Sequence, residues 1–161
     1  MNAVVITISD SCFSGRRQDR SGPELAARLR QAGFTVPDIL VLPDEQRQIA
    51  RTLGEQAVQA QLIVTTGGTG ITPRDVTPEA TRSVCERILD GFGELMRSEG
   101  FKHTPLAPMS RAVTGTLGST LIVNVPGSPQ AAVQSLEAVL HLIPHALALL
   151  SGDTHHPEPP T

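Results

Sequence analysis

The chain predicts an α/β fold with a mostly parallel sheet, and three observations in its 161 residues carry that prediction. Apolar, β-branched runs alternate with helical periodicities along nearly the whole length. The runs lack the polar alternation of half-exposed strands, so their residues suit strands covered on both faces by helices. Compact polar segments follow several of the runs, and parallel sheets bind ligands beyond the carboxyl ends of their strands. The length suits one domain over residues 1–152, followed by a polar tail over 153–161 with three prolines and no apolar residue.

Residues 3–9, AVVITIS, predict the first strand, and a polar loop, DSCFSGRRQDRSG, follows. Pro23 opens a helix in which Leu25, Ala26, Leu29 and Ala32 share a stripe, and Gly33 ends it. Residues 35–42 read as a second strand, and 45–59 as a helix with Ile49, Leu53 and Ala57 on one face. Residues 62–66, LIVTT, form a third strand that runs straight into four glycine-rich positions. Thr77 and Pro78 suit the N-cap and first turn of a helix over 77–89, with Ala80, Val84 and Ile88 facing inward. Gly91 and Gly93 interrupt it, and a short helix closes at Gly100. Residues 120–125, TLIVNV, give another strand. Ser128 then caps a helix with a wide apolar stripe of Ala132, Val133, Leu136, Val139, Leu140 and Ile143, and Pro144 starts or kinks a last helical stretch.

Composition narrows the function. There are four Phe and no Tyr or Trp, too few rings for the stacking platforms that bind single-stranded nucleic acid, and the net charge of −3 adds no basic face. Of the 13 basic residues only Lys102 is a lysine. That bias suits phosphate recognition by planar guanidinium groups, and equally a genome that favours Arg and Ala. No run approaches the ~18 apolar residues of a membrane span. Cys12 and Cys85 follow no metal-ligand spacing, which fits reduced thiols and a cytoplasmic setting. His155 and His156 in the tail read as solvated.

Four strand ends carry polar signals. The strongest is Thr66, Gly67, Gly68, Thr69 and Gly70, followed by an Arg74–Asp75 pair just before the helix. Glycines after a buried strand let backbone N–H groups approach a phosphate, or serve a tight turn needing positive φ. Neither a P-loop nor a GxGxxG pattern is present. Asp44, after the second strand, reads as a helix N-cap or, beside Asp75, as one of two carboxylates holding Mg²⁺ against a nucleotide. Ser9 and Asp10 read as a turn or a ligand contact. No nucleophile elbow or His-paired Cys occurs, so positioning and charge stabilisation are the expected means of any catalysis.

The strings VVITISDS, DRSGPEL, LPDE, TTGGTG with PRDVTPEAT, a Ser-Arg dipeptide and TLIVNVPGSPQA closely resemble, in this order, the MogA/MoaB molybdopterin-binding family and its relatives, the plant Cnx and gephyrin G domains. The resemblance spans residues 3–150. It implies a three-layer α/β/α fold, a homotrimer, and transfer of AMP from Mg-ATP to the terminal phosphate of molybdopterin with release of pyrophosphate. It places Asp44 and Asp75 at the family's two essential acidic positions, Ser110 and Arg111 in the molybdopterin pocket, and Pro126, Gly127 and Ser128 on the nucleotide side. A molybdate-inserting MoeA-type enzyme is the implied partner. Gly100 stands where several relatives carry a pterin-contacting Ser. A non-catalytic molybdopterin-binding trimer of the same family is the competing reading.

Overall fold

The computed structural model describes residues 1–153. Its elements follow in chain order as β1 (Ala3–Ile8), α1 (Asp10–Phe13), α2 (Ser21–Gln31), β2 (Ile39–Leu42), α3 (Gln46–Ala57), β3 (Leu62–Thr66), α4 (Thr77–Val84), β4 (Arg87–Ile88), α5 (Asp90–Phe101), β5 (Thr114–Leu117), β6 (Thr120–Val125), α6 (Pro129–Leu140) and α7 (Ile143–Leu150). A single 3₁₀ turn covers Ala107–Met109.

The six strands form one sheet in the order β2-β1-β3-β6-β5-β4. The first four run parallel, and β5 and β4 add an antiparallel edge. β1, β3 and β6 are buried along their whole length, as their unbroken apolar runs require. Helices cover both faces. One layer packs Leu25 and Leu29 of α2, Met96 of α5, Leu136 of α6 and Ile143 of α7 against Val5, Val64 and Val123. The other packs Ile49 and Leu53 of α3 and Ala80 of α4 against Ile6, Ile63 and Ile122. Each fully buried Leu or Ile side chain contributes roughly 1.5–3 kcal/mol. The fold is therefore the expected three-layer α/β/α arrangement.

Buried polar groups tie the central strands to α4. Asn124, fully buried on β6, donates through Nδ2 to Thr65 Oγ1 and Thr81 Oγ1, both at 2.9 Å, and accepts from the Val113 N–H at 3.3 Å. Thr120 Oγ1 donates to the carbonyls of Ala57 and Ala60. Such bonds are required where a polar group leaves water.

Several boundaries differ from the sequence reading. The second strand keeps only Ile39–Leu42, since Pro37 offers no N–H and Thr35 makes only an isolated bridge to Asn2. The loop after β1 contains the one-turn helix α1, capped by Ser9 Oγ accepting from the Cys12 N–H. α2 begins at Ser21, two residues before Pro23, and ends as expected at Gly33 (φ +90°). The helix expected over 77–89 stops at Val84, because Cys85 turns extended and Arg87 pairs with Thr116 of β5. β5 was not predicted. α5 runs unbroken through Gly91 and Gly93 to Phe101. Ser128 is the N-cap residue of α6, although its side chain makes no capping bond. His155 and His156, and the tail beyond Asp153, lie outside the described residues.

Candidate functional site

A cleft of about 650 Å³ lies at the carboxyl ends of the parallel strands. Its floor is main chain. Gly67 and Gly68 follow β3 with φ of +99° and +63°, conformations that side chains rarely adopt. A Cβ on Gly67 would strike the Ile8 carbonyl, and one on Gly68 would strike Thr77 Oγ1 and lie 3.1 Å from Asp44 Oδ1. The turn is fixed from three sides. The Gly67 N–H donates to the Val125 carbonyl at 3.2 Å, Thr66 Oγ1 to the Pro126 carbonyl at 2.7 Å, and Thr77 Oγ1 to the Gly67 carbonyl at 2.9 Å. That last bond corrects the expected N-cap: Val76 holds the cap position, and Thr77, the first helical residue, braces the glycine turn instead.

The acidic residues divide by how they are held. Asp10 and Asp44 clasp each other. The Asp10 N–H donates to Asp44 Oδ2 at 2.9 Å, and the Asp44 N–H donates to Asp10 Oδ1 at 3.0 Å. Arg74 closes on Asp10 with Nε and Nη2, both at 3.0 Å, and reaches Glu45 at 3.2 Å. The Asp44 N–H, followed by Arg74, holds the Asp10 carboxyl below the usual carboxylate range. Burial pushes the Asp44 carboxyl up, and the charges of Asp10 and Asp75 add to that rise. Asp75 lines the same cleft as Asp44, and its Oδ2 accepts from the Thr72 N–H at 2.9 Å. A Cβ on Gly70 would fall 2.8 Å from that oxygen.

Of the residues singled out in the sequence, Ser9, Asp44, Thr66, Gly67, Gly68, Asp75, Gly127 and Ser128 line this cleft. Asp10, Thr69 and Gly70 do not line it. Arg111 faces a separate recess, and its guanidinium is committed to protein acceptors. Its Nε donates to the Gly70 carbonyl at 2.7 Å, Nη2 to the Asp75 carbonyl at 2.8 Å, and Nη1 pairs with Glu79. The Arg111 N–H also donates to the Thr69 carbonyl at 2.9 Å, so the residue staples the whole 69–75 segment. Ser110 and Pro126 line a more apolar pocket of about 300 Å³, with Met96, Leu106 and Ala107, which meets the main cleft at Ser128. Gly100 also lines that pocket, and a Cβ there would lie 3.0 Å from Ala107 Cβ.

The sequence reading passed over Cys12, Arg17, Gln18, Arg20 and Ser21, which line the cleft from the loop after β1. The signal was present as two arginines flanking Gln18 and Asp19 beyond a strand end. No phenylalanine lines either pocket: Phe34 is buried, Phe92 packs against the core, and Phe13 and Phe101 are exposed elsewhere.

A main-chain turn with positive φ and two carboxylates share one cleft at the carboxyl ends of parallel strands, which is where the class of open α/β proteins binds its ligands. The comparisons narrow that class. The family model described as "Probable molybdopterin binding domain" matches residues 4–145. The chain belongs to that family. It is 38% identical over 153 residues to a molybdopterin adenylyltransferase of Helicobacter pylori, covering 92% of this chain and 87% of the relative. To the molybdopterin adenylyltransferase of Escherichia coli K12 it is 41% identical over 140 residues, covering 84% and 71%. The crystal structure of the molybdopterin biosynthesis enzyme MoaB from Thermus thermophilus superposes with a TM-score of 0.85 at 47% identity, covering 94% and 96% of the two chains.

Proposed function

We propose that this chain is a molybdopterin adenylyltransferase of molybdenum cofactor biosynthesis. The observation that carries the reading is the joint placement of the Gly67–Gly68 turn, Asp44 and Asp75 in one cleft, in a chain with adenylyltransferase relatives. A terminal phosphate oxygen of molybdopterin attacks the α-phosphorus of ATP. The new P–O bond forms as the bond to the β-phosphate breaks, and pyrophosphate leaves with the electron pair. The nucleophile is already anionic, so no general base is needed, and catalysis rests on alignment and charge offset. The Gly68 N–H of the glycine turn and the N-terminus of α6 at Ser128 and Pro129 face the phosphates, while the Gly67 N–H stays bonded to the Val125 carbonyl. The pterin rests against the adjoining pocket of Ser110, Met96 and Pro126, held by polar edges and aliphatic contacts without ring stacking.

Asp44 and Asp75 would hold Mg²⁺. The rise in the Asp44 pKa reflects burial first, with the charges of Asp10 and Asp75 adding to it and Arg74 offsetting part, and a bound cation would offset more. Among the described residues no three His, Cys, Asp or Glu side chains are arranged to enclose a metal. The donor set thus fits an ion whose shell is completed by phosphates and water. Bound there, Mg²⁺ would offset charge on the transferring phosphoryl group.

The reaction belongs in the cytoplasm, with ATP. The exposed Phe101, Leu106 and Met109 offer an apolar surface for a homotrimer, and the adenylylated product suits a molybdate-inserting MoeA-type enzyme. Pyrophosphate release from ATP, Mg²⁺ and molybdopterin is the test. Tight pterin binding without release would establish the non-catalytic binder instead.

A further inference from the structure

Two polyanions must enter a cleft that already carries the carboxylates of Asp44 and Asp75. The nearby Arg74 and Arg111 cannot freely offset that charge, since their guanidinium groups bond Asp10, Glu45, Glu79 and two backbone carbonyls. Arg17 and Arg20 differ. Both are exposed, both line the cleft, and among the described residues neither side chain makes a hydrogen bond or ion pair.

The loop that carries them is anchored. Asp19, between the two, accepts from Thr7 Oγ1 at 2.7 Å through Oδ2, and from the Gly22 N–H at 3.0 Å through Oδ1. Thr7 lies at the carboxyl end of β1, and Gly22 is in the first turn of α2. Only glycine fits at position 22, because a Cβ would lie 2.6 Å from Thr7 Oγ1 and 2.9 Å from Ile39 Cγ2. Upstream, Gly15 turns with φ +76° and the Arg17 N–H donates to the Ser11 carbonyl at 3.1 Å. Asp19 therefore faces inward to fasten the loop, and its neighbours are left at the cleft.

We propose that Arg17 and Arg20 form a phosphate-binding clamp on this Asp19-anchored loop, closing over the phosphate groups of a substrate from the side opposite α4. The proposal rests on the adenylyltransferase reading for the substrates' identity, but its chemistry is that of guanidinium forks on phosphate oxygens. The phosphates belong to either ATP or molybdopterin, and separate titrations distinguish the two.

The test compares wild type with Arg17→Ala/Arg20→Ala and with Arg17→Lys/Arg20→Lys. Pyrophosphate release is measured against each substrate in turn, and binding of Mg-ATP and of molybdopterin by calorimetry at several salt concentrations. Both arginines are exposed, so thermal melting should be unchanged. The double alanine variant should raise KM and Kd for the clamped substrate about tenfold or more, with a shallower salt dependence, and the lysine pair should recover part of the loss. A rise confined to ATP assigns the clamp to the nucleotide, and one confined to molybdopterin assigns it to the pterin phosphate. KM and Kd within twofold of wild type for both substrates would overturn the proposal. Calorimetry needs no turnover. A wild-type protein that binds but releases no pyrophosphate would therefore sink the transferase reading while still deciding the clamp.

Discussion

The parallel core and the antiparallel edge of the sheet treat buried hydroxyls differently. In the core, Asn124 donates to Thr65 and Thr81, Thr66 and Thr77 bond carbonyls around the glycine turn, and Thr120 bonds two carbonyls at the end of α3 and just beyond it. On β5, in the antiparallel part of the sheet between β6 and β4, Thr114 and Thr116 bury their Oγ1 atoms with no partner among the described residues. The hydroxyls are thus bonded where the strands and α4 position the cleft and unbonded in the antiparallel part of the sheet, although Glu79 Oε2 on α4 is also buried without a partner among the described residues. The core hydroxyls fix geometry; the edge hydroxyls cost stability without fixing anything.

That contrast can be broken by substitution. Asp75→Asn is nearly isosteric and keeps an oxygen for the Thr72 N–H. It should lower pyrophosphate release by about 100-fold or more with melting unchanged. A folded Asn variant with wild-type rates would remove Asp75 from the chemistry. Asn124→Ala leaves a backbone N–H and two hydroxyls short of a partner in the core, a loss of about 2–4 kcal/mol in urea unfolding. A loss below about 1 kcal/mol would show that the network is dispensable. Thr77→Val removes one bond to the glycine turn, for about 1–2 kcal/mol, together with a fall in turnover. Thr114→Val and Thr116→Val should be neutral or stabilising by up to about 1 kcal/mol and leave turnover intact. Clear destabilisation by either would erase the distinction between core and edge.

Asp44 sharpens the comparison through pH. Its carboxyl is raised above 3.8 in the folded chain, so the native state holds the proton more tightly than the unfolded state. The resulting penalty is absent below about pH 3.8, grows between there and the raised value, and is constant above it. Asp44→Asn should therefore melt higher than wild type near neutral pH, lose that advantage in acid, and be inactive. A variant less stable than wild type at neutral pH would mean that the carboxylate is structurally favourable. Acquiring stability by losing activity is the pattern expected of a residue retained for function.

The core was the legible part of the sequence. Uninterrupted runs such as LIVTT and TLIVNV admit no other placement than buried strands, and β3 and β6 have the expected bounds. The edge was illegible because its strands lack that signature. TGTL is three-quarters threonine and glycine, Arg87–Ile88 is two residues long, and both are strands only through their partners. The site divided in the same way. Asp44 and the glycines stand next to strand ends in the sequence, and Asp75 lies in the loop that leads from β3 to α4, so their convergence followed from topology. That Arg111 braces the glycine segment depends on side-chain packing across 36 residues, from its guanidinium to the Asp75 carbonyl. Arg17 and Arg20 reach the cleft only because Asp19 turns inward, which composition does not reveal.

The main-chain floor of the cleft has a thermodynamic consequence. Gly67, Gly68 and Gly127 have no rotamers to freeze, and the turn at Gly67 and Gly68 is held by hydrogen bonds present before any ligand arrives. Ligand contact with the floor therefore adds almost no conformational entropy cost. The cost falls on the arginine loop, whose long side chains must be immobilised at up to roughly 2 kcal/mol each. On the proposed clamp, the cleft is thus preorganised at the glycine turn and adaptable at the two arginine side chains.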